Sequence, residues 1–277
     1  IYANGSDGIE IQPDGGSFSP TISNNNISSN TRDAIFINYP FGKSSGGLPI
    51  LSGNNLSGNG LNYGLGLSGY IGISMTLPVN PIWAYVVQGT LGVRDNATLT
   101  IDPNVVVKFD DNASLNVVSH LQAQGTPGNE IYFTSLQDDS VGGDIDGIPS
   151  IGTPGDWSGL DFSNSGQGIF DYVVIQYADY GIDQWFGYST IVQISNSTVS
   201  NNQYRGLEAN QDSTLIVTNV TVENNGSDGI YAMNATLTVN NGSVINNNGG
   251  QGIETAGDTT VIAIDGNTIS NNSSDGM

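Results

Sequence analysis

A coil of short parallel β-strands, all-β throughout, is the fold class that the sequence predicts, and three features predict it. Gly followed by Ile, Leu or Met recurs at Gly181, Gly206, Gly229, Gly252 and Gly276, at spacings of 25, 23, 23 and 24 residues. A β-branched residue and paired asparagines precede four of these glycines, in "TVSNNQYRGL", "TVENNGSDGI", "VINNNGGQGI" and "TISNNSSDGM". The apolar residues alternate with period two and do not follow the helical period. One such turn cannot bury its apolar face alone, so turns stack in parallel about 4.8 Å apart. At 22–25 residues per turn, the 277 residues make about eleven turns.

Taken in order, "SDGIEI", "ISSNTRDAIFI" and "LSGNGLNYGLGL" open the series. In each, alternate residues point to a shared interior: Ile9 and Ile11, Ile35 and Ile37, Leu65 and Leu67. The hexapeptide "NGSDGI" stands at 4–9 and again at 225–230, which marks one corner used repeatedly. Gly supplies a left-handed or close-approach backbone there, Asn tolerates the same conformation, and repeated asparagines can bond along the stack as a ladder. "SMTLPVNPIWAYVV", with Pro78 and Pro81, breaks the rhythm. Residues 1–77 then close one coil and 78–277 form another, or a single solenoid continues past a loop. In the middle, Leu99 and Leu121 lie 22 apart, as do Phe109 and Ile131, so the period persists while the corner chemistry changes. Residues 136–156 are an acidic excursion from the coil. The first nine residues, "IYANGSDGI", align without gaps on the last nine, "ISNNSSDGM". This phase match predicts a unit that self-associates end to end, as a filament subunit or one segment of a tandem array.

Composition narrows the function. Five Lys and Arg stand against 26 Asp and Glu, a formal net charge of -21, which excludes nucleic acid because phosphate contacts need cations. There is no cysteine, hence no disulfide framework, and no apolar run approaches the length of a membrane span. Twelve Asn-X-Ser/Thr sequons are glycosylation candidates: Asn4, Asn26, Asn55, Asn96, Asn112, Asn196, Asn219, Asn225, Asn234, Asn241, Asn271 and Asn272.

The run "YVVQGTLGVRDNATLTIDPNVVVKF", followed by "LQAQGTPGNEIYFTS" and "GDWSGLDF", resembles the right-handed parallel β-helix segments of large secreted and surface proteins with a pectin-lyase-like fold. The "NNxxxxGI" turns resemble the repeats of carbohydrate-binding and sugar-hydrolysing β-helix proteins. The likeness covers nearly the whole chain and implies a right-handed coil in an extracellular or cell-surface protein. In such proteins a "YVV-x-GTL" run commonly opens a new β-helix. The resemblance is specific for the scaffold and weak for activity.

A lyase of this fold implies Lys or Arg at the reacting centre, often with calcium, and a glycosidase implies paired carboxylates. Lys108 sits in a scaffold-like strand, and Arg205 beside a corner reads as a stacking or salt-bridging residue. Arg32 and Arg94 have no carboxylate constellation, and His120 reads as a surface or turn residue. The missing basic cluster argues against a lyase. Asp138, Asp139, Asp144, Asp146 and Asp156 fall within 19 residues among glycines, an oxygen-rich loop suited to a structural Ca²⁺. The alternatives there are a solvated loop held by Asx turns, or Asp138 and Asp139 as acid and nucleophile of a hydrolase. Trp185 and Tyr188 are candidates for a glycan platform. The sequence favours an extracellular structural or adhesive module, with a polysaccharide lyase, a glycoside hydrolase or a non-catalytic glycan-binding module as alternatives.

Overall fold

The computed structural model describes residues 1–79, 84–185 and 189–277, the side chains of residues 62 and 63 aside. Among these residues there are 31 strands and no helix. The strands pair in parallel from one turn to the next and form three faces of a solenoid of about eleven turns.

The first face runs from Ile9–Ile11 through Asp33–Tyr39, Leu61–Ile71, Ala84–Val93 and Ser114–Val117. It continues through Trp157–Phe162, Ala178–Gln184, Leu207–Asn210 and Ile230–Met233 to Ile253–Ala256. The second contains Thr98–Ile101, His120–Gln124, Gln167–Asp171, Ile191–Ser195, Thr214–Thr218 and Thr236–Asn240. The third includes Val106–Phe109, Ile131–Ser135, Val173–Gln176, Thr198–Ser200 and Thr221–Glu223.

Alternation fills the interior. Leu91, Leu115, Leu160, Ile182, Leu207, Ile230 and Ile253 are successive register partners, and all are buried. Each contributes about 1.5–3 kcal/mol of burial. Ile9, Ile35 and Leu65 form a second such column, and Ile11, Ile37 and Leu67 a third. Leu99 pairs with Leu121 as the period predicts. Phe109 does not pair with Ile131; its partner is Ser135. The turn closed by the Thr126 and Asn129 bridge lengthens that rung by four residues and moves the register. Phe109 stacks instead on Trp157, ring centroids 4.0 Å apart.

The corner divides its work between two asparagines and a glycine. The residue before each ladder position is left-handed: Asn201, Asn224, Asn247 and Asn271, with φ between 54° and 56°. The next asparagine turns inward, and Asn202, Asn225 and Asn248 are buried. Asn202 Nδ2 donates to Asn225 Oδ1 (2.8 Å), Asn225 Nδ2 to Asn248 Oδ1 (2.9 Å), and Asn248 Nδ2 to Asn272 Oδ1 (2.9 Å). The same ladder occurs near the other end, where Asn4 donates to Asn30 and Asn30 to Asn59, both at 2.8 Å. The two copies of "NGSDGI" therefore occupy equivalent places. The glycine four residues on serves close approach: a Cβ on Gly229 would lie 2.7 Å from the Gly252 carbonyl oxygen, and one on Gly8 2.7 Å from that of Ala34.

The sheet passes the proline-containing interruption unbroken, because Leu65 pairs with Tyr85 and Leu67 with Val87. Gln88 then reaches back and donates to both carboxylate oxygens of buried Asp33, at 2.8 Å each.

Candidate active site

Every residue that follows an inward aliphatic on the first face points outward. From Leu115 onward these residues are Asn116, Asp161, Asp183, Glu208, Tyr231 and Glu254, each the register partner of the next. Parallel in-register pairing thus places three carboxylates, Asp161, Asp183 and Glu208, on consecutive turns about 4.8 Å apart. A bulge beside them, where Gly159 pairs with Tyr180 but Leu160 with Ile182, tilts the strand that carries Asp183. Gly159, at φ 131°, admits the Tyr180 carbonyl, which would lie 2.2 Å from any Cβ there.

The column opens into a cleft of about 370 Å³ lined by Ser158, Asp161, Asp179, Tyr180, Asp183, Trp185 and Glu208. Its carboxylates differ in environment. Burial, then the charges of Glu208 and Asp161, push Asp183 up to about 8, and Asp183 Oδ1 is buried with no hydrogen-bond partner. Burial alone raises Asp161 to about 6. Glu208 is gripped on both oxygens, by Arg205 Nη1 at 2.9 Å on Oε2 and by Asn210 Nδ2 at 2.8 Å on Oε1. Arg205 also donates to Asp228 (3.2 Å) and lies 3.7 Å from the centroid of the Tyr231 ring, in the stacking and salt-bridging role expected of it. Trp185 is 57% exposed at the rim.

Residues 151–277, which contain the whole cleft, match the family model described as a right handed beta helix region. The chain is a right-handed parallel β-helix. No curated protein and no solved structure matches it.

The other candidate residues lie elsewhere on the β-helix. Asp138, Asp139, Asp144 and Asp146 all lie near enough to act on the Lys108 ammonium, and among the described residues no group of three His, Asp or Glu side chains is placed to hold a metal ion. Asp144 Oδ1 accepts from Gly147 N (2.6 Å), Asp146 Oδ1 from Ile148 N (2.9 Å), and Asp139 Oδ2 from Ser150 N (2.7 Å). Asp156 Oδ2 accepts from Ser135 Oγ (2.6 Å) and Thr153 N (2.8 Å). The bonds from Gly147, Ile148 and Thr153 are the local turns that short acidic side chains make with nearby backbone, while those from Ser150 and Ser135 tie distant parts of the loop together. Asp138 is buried and takes bonds from Thr134 Oγ1 (2.7 Å), Gln176 Nε2 (2.8 Å) and Ser140 N (3.1 Å), so it is no partner to Asp139 in hydrolysis.

The cation of this loop is Lys108. It is fully buried, and its Nζ donates to the carbonyls of Asp138 (2.7 Å) and Gly143 (2.6 Å). Burial lowers its pKa, against the opposing pull of Asp138, Asp139, Asp146 and Asp144. Lys108→Met leaves two carbonyls unpaired, a cost of about 1–3 kcal/mol each. Amide exchange across residues 139–150 is expected to rise about tenfold or more in that variant while Leu215–Val217 stays protected. Unchanged exchange would show that the lysine does not hold the loop.

Arg94 lies between the Phe41 and Tyr70 rings, at 4.9 and 3.9 Å from their centroids. Arg32 Nη2 donates to Gln88 Oε1 (2.6 Å). His120 begins a strand on the second face, Nδ1 3.2 Å from Ser119 Oγ. Tyr188 lies outside the described residues. Among the sequons, Asn225 is buried in the ladder with its amide already bonded, while Asn26, Asn55, Asn96, Asn112, Asn219 and Asn241 are exposed. No helix among the described residues is long and apolar enough to cross a membrane.

Proposed function

We propose that this β-helix is an extracellular glycoside hydrolase whose cleft uses Asp183 as acid/base and Glu208 as nucleophile. The observation that carries the reading is their contrast: register partners on adjacent strands, one carboxyl raised to about 8 and lacking a partner for Oδ1, the other ion-paired and held on both oxygens. A glycosidase needs that division, a carboxylic acid still protonated at neutral pH beside an oriented carboxylate. Adjacent strands lie about 4.8 Å apart, close to the 5–5.5 Å separation of carboxyl pairs in retaining enzymes.

In the first step Asp183 gives its proton to the glycosidic oxygen as that C–O bond breaks, while a Glu208 oxygen bonds to the anomeric carbon. In the second, water attacks that carbon, its proton passes to the Asp183 carboxylate, and the Glu208 ester is released. Trp185 and Tyr180 offer ring faces to the apolar C–H surface of a sugar. A lyase fits less well, because the one guanidinium at the cleft is committed to Glu208 and Asp228.

The test is release of reducing ends from a panel of soluble polysaccharides, with the product anomer followed by proton NMR. Cleavage with retained configuration is the expected result; inversion would remove Glu208 from the nucleophile role, and inertness toward every glycan would overturn the reading.

A second reading, an extracellular structural or adhesive rod assembling end to end, is supported by the buried asparagine ladders. The ladder of Asn4, Asn30 and Asn59 stiffens the coil at turns that contribute nothing to the cleft. Filaments in electron micrographs of concentrated protein, together with inertness toward glycans, would favour it.

A further inference from the structure

The cleft assigned above also has a sign of charge, and its neighbourhood has almost nothing to balance it. Four carboxyls line one cavity of about 370 Å³; Asp183 holds its proton and Glu208 is paired with Arg205, which leaves Asp161 and Asp179 to carry its charge. Arg205 sits beside it, spent on Glu208 and Asp228 and stacked on Tyr231. The other cations are elsewhere: Lys108 beneath the acidic loop, Lys43 paired with Asp14, Arg94 between two rings, and Arg32 against Gln88.

Asp179 stands apart from the column. It lies on the same strand as Asp183, four residues earlier, and has no hydrogen bond or ion pair from its carboxylate among the described residues. Burial raises its pKa, as for a carboxyl partly withdrawn from water with no compensating charge. Four residues of strand span roughly 13 Å at 3.3 Å per residue. Asp179 is thus placed to meet a sugar two or three units along the chain from the one at Asp183 and Glu208. A uronic-acid polymer entering here would bring carboxylates against carboxylates, which costs affinity, whereas a polymer with amines supplies the absent charge.

Resting on the hydrolase reading of this cleft, we infer that its substrate class is a glycan bearing free amino groups, a de-N-acetylated amino-sugar polymer, and that Asp179 is the residue that selects it. The ammonium of a sugar two or three units along the chain ion-pairs with Asp179 while the scissile bond lies over the column.

Calorimetric titration of the wild-type protein with a glucosamine hexamer, its N-acetylated counterpart and an oligogalacturonate tests this. The glucosamine hexamer is expected to bind at least tenfold more tightly than the N-acetylated one at 50 mM salt, with the gap shrinking severalfold at 0.5 M as screening shortens. Asp179→Asn is expected to abolish the gap by weakening binding of the glucosamine hexamer. Asp258→Asn, an equal change of charge at an exposed site away from the cleft, is expected to preserve it, which separates a site from general attraction to a protein of net charge -21. Equal binding of the two hexamers, or preference for the oligogalacturonate, would overturn the amino-sugar assignment while the glycan cleft stands. Binding of none of the three would overturn both.

Discussion

Replacing Glu208 by Gln is expected to lower kcat/KM on the cleaved glycan about 10³-fold or more while the protein stays folded. Gln keeps the volume and one acceptor for Arg205 or Asn210, but it cannot form the glycosyl ester, so the loss falls on the transition state. Asp183→Asn is expected to cost a similar factor, with a second signature that a merely structural carboxylate would not give. Folding holds Asp183 protonated up to about 8, far above its ordinary value near 4. The unfolded chain ionises first, so the stabilising preference for the protonated form is complete at low pH and is lost as pH rises toward 8. An amide has no such titration. Asp183→Asn should therefore raise the melting temperature at pH 8 by about 2 °C, the equivalent of about 1 kcal/mol in a chain of this size, and have little effect at pH 4.

Wild-type activity should fall as pH rises through about 8, where the acid loses its proton. Because the charge of Asp161 helps to raise Asp183, Asp161→Asn should move that alkaline limb to lower pH. A Glu208→Gln enzyme retaining more than a tenth of wild-type activity would end the proposed roles, and so would an Asp183→Asn protein that melts lower at pH 8.

The scaffold was far more legible in the sequence than the cleft. Period-two alternation places Ile35, Ile37, Leu65 and Leu67 inside because a strand has only two faces, and Gly229 and Gly252 announce a corner because only they fit it. The acidic column was present in the same motif: "GLDF", "GIDQ", "GLEA" and "GIET" each carry an acid two residues after the corner glycine. Read one turn at a time these are ordinary outward residues. Their meaning arises only from register, which makes Asp161, Asp183 and Glu208 neighbours although 22 and 25 residues separate them.

The aspartates of 138–156 gave the louder signal, being close in sequence, yet Asp144 and Asp146 are consumed by local turns and Asp138 and Asp139 by bonds that hold the loop together. Bulges and turn insertions are hidden for a related reason. The four residues that displace Phe109 from Ile131 leave composition and periodicity unchanged and alter only which residues face one another.

The largest loss of stability is expected at the corner. Gly229→Ala puts a Cβ 2.6 Å from Ile245 Cγ2, 2.7 Å from the Gly252 carbonyl and 2.8 Å from Asn248 Nδ2. The carbonyl cannot retreat without breaking its bond from Ile230 N (3.0 Å), and the amide cannot turn away without leaving Asn272. Overpacking against two committed groups should cost about 3 kcal/mol in urea unfolding. Asn225→Ala should cost a similar amount by the opposite route, since it removes the acceptor for Asn202 N and Nδ2 and the donor to Asn248 Oδ1 in a dry interior. Gly5→Ala, where nothing lies within 4 Å of the new carbon, should change stability by less than about 0.5 kcal/mol. So should Asn219→Gly, which keeps the left-handed backbone there (φ 54°), although Asn219 Nδ2 bonds Asn196 Oδ1 at the same 2.8 Å as the Asn202 rung, because that rung is exposed and water replaces the partner. If the buried and exposed rungs cost the same, the ladder is not what stabilises the corner. If they differ as expected, burial sets the value of each bond, and the paired asparagines of the repeat are explained by the second of each pair being the one that water cannot reach.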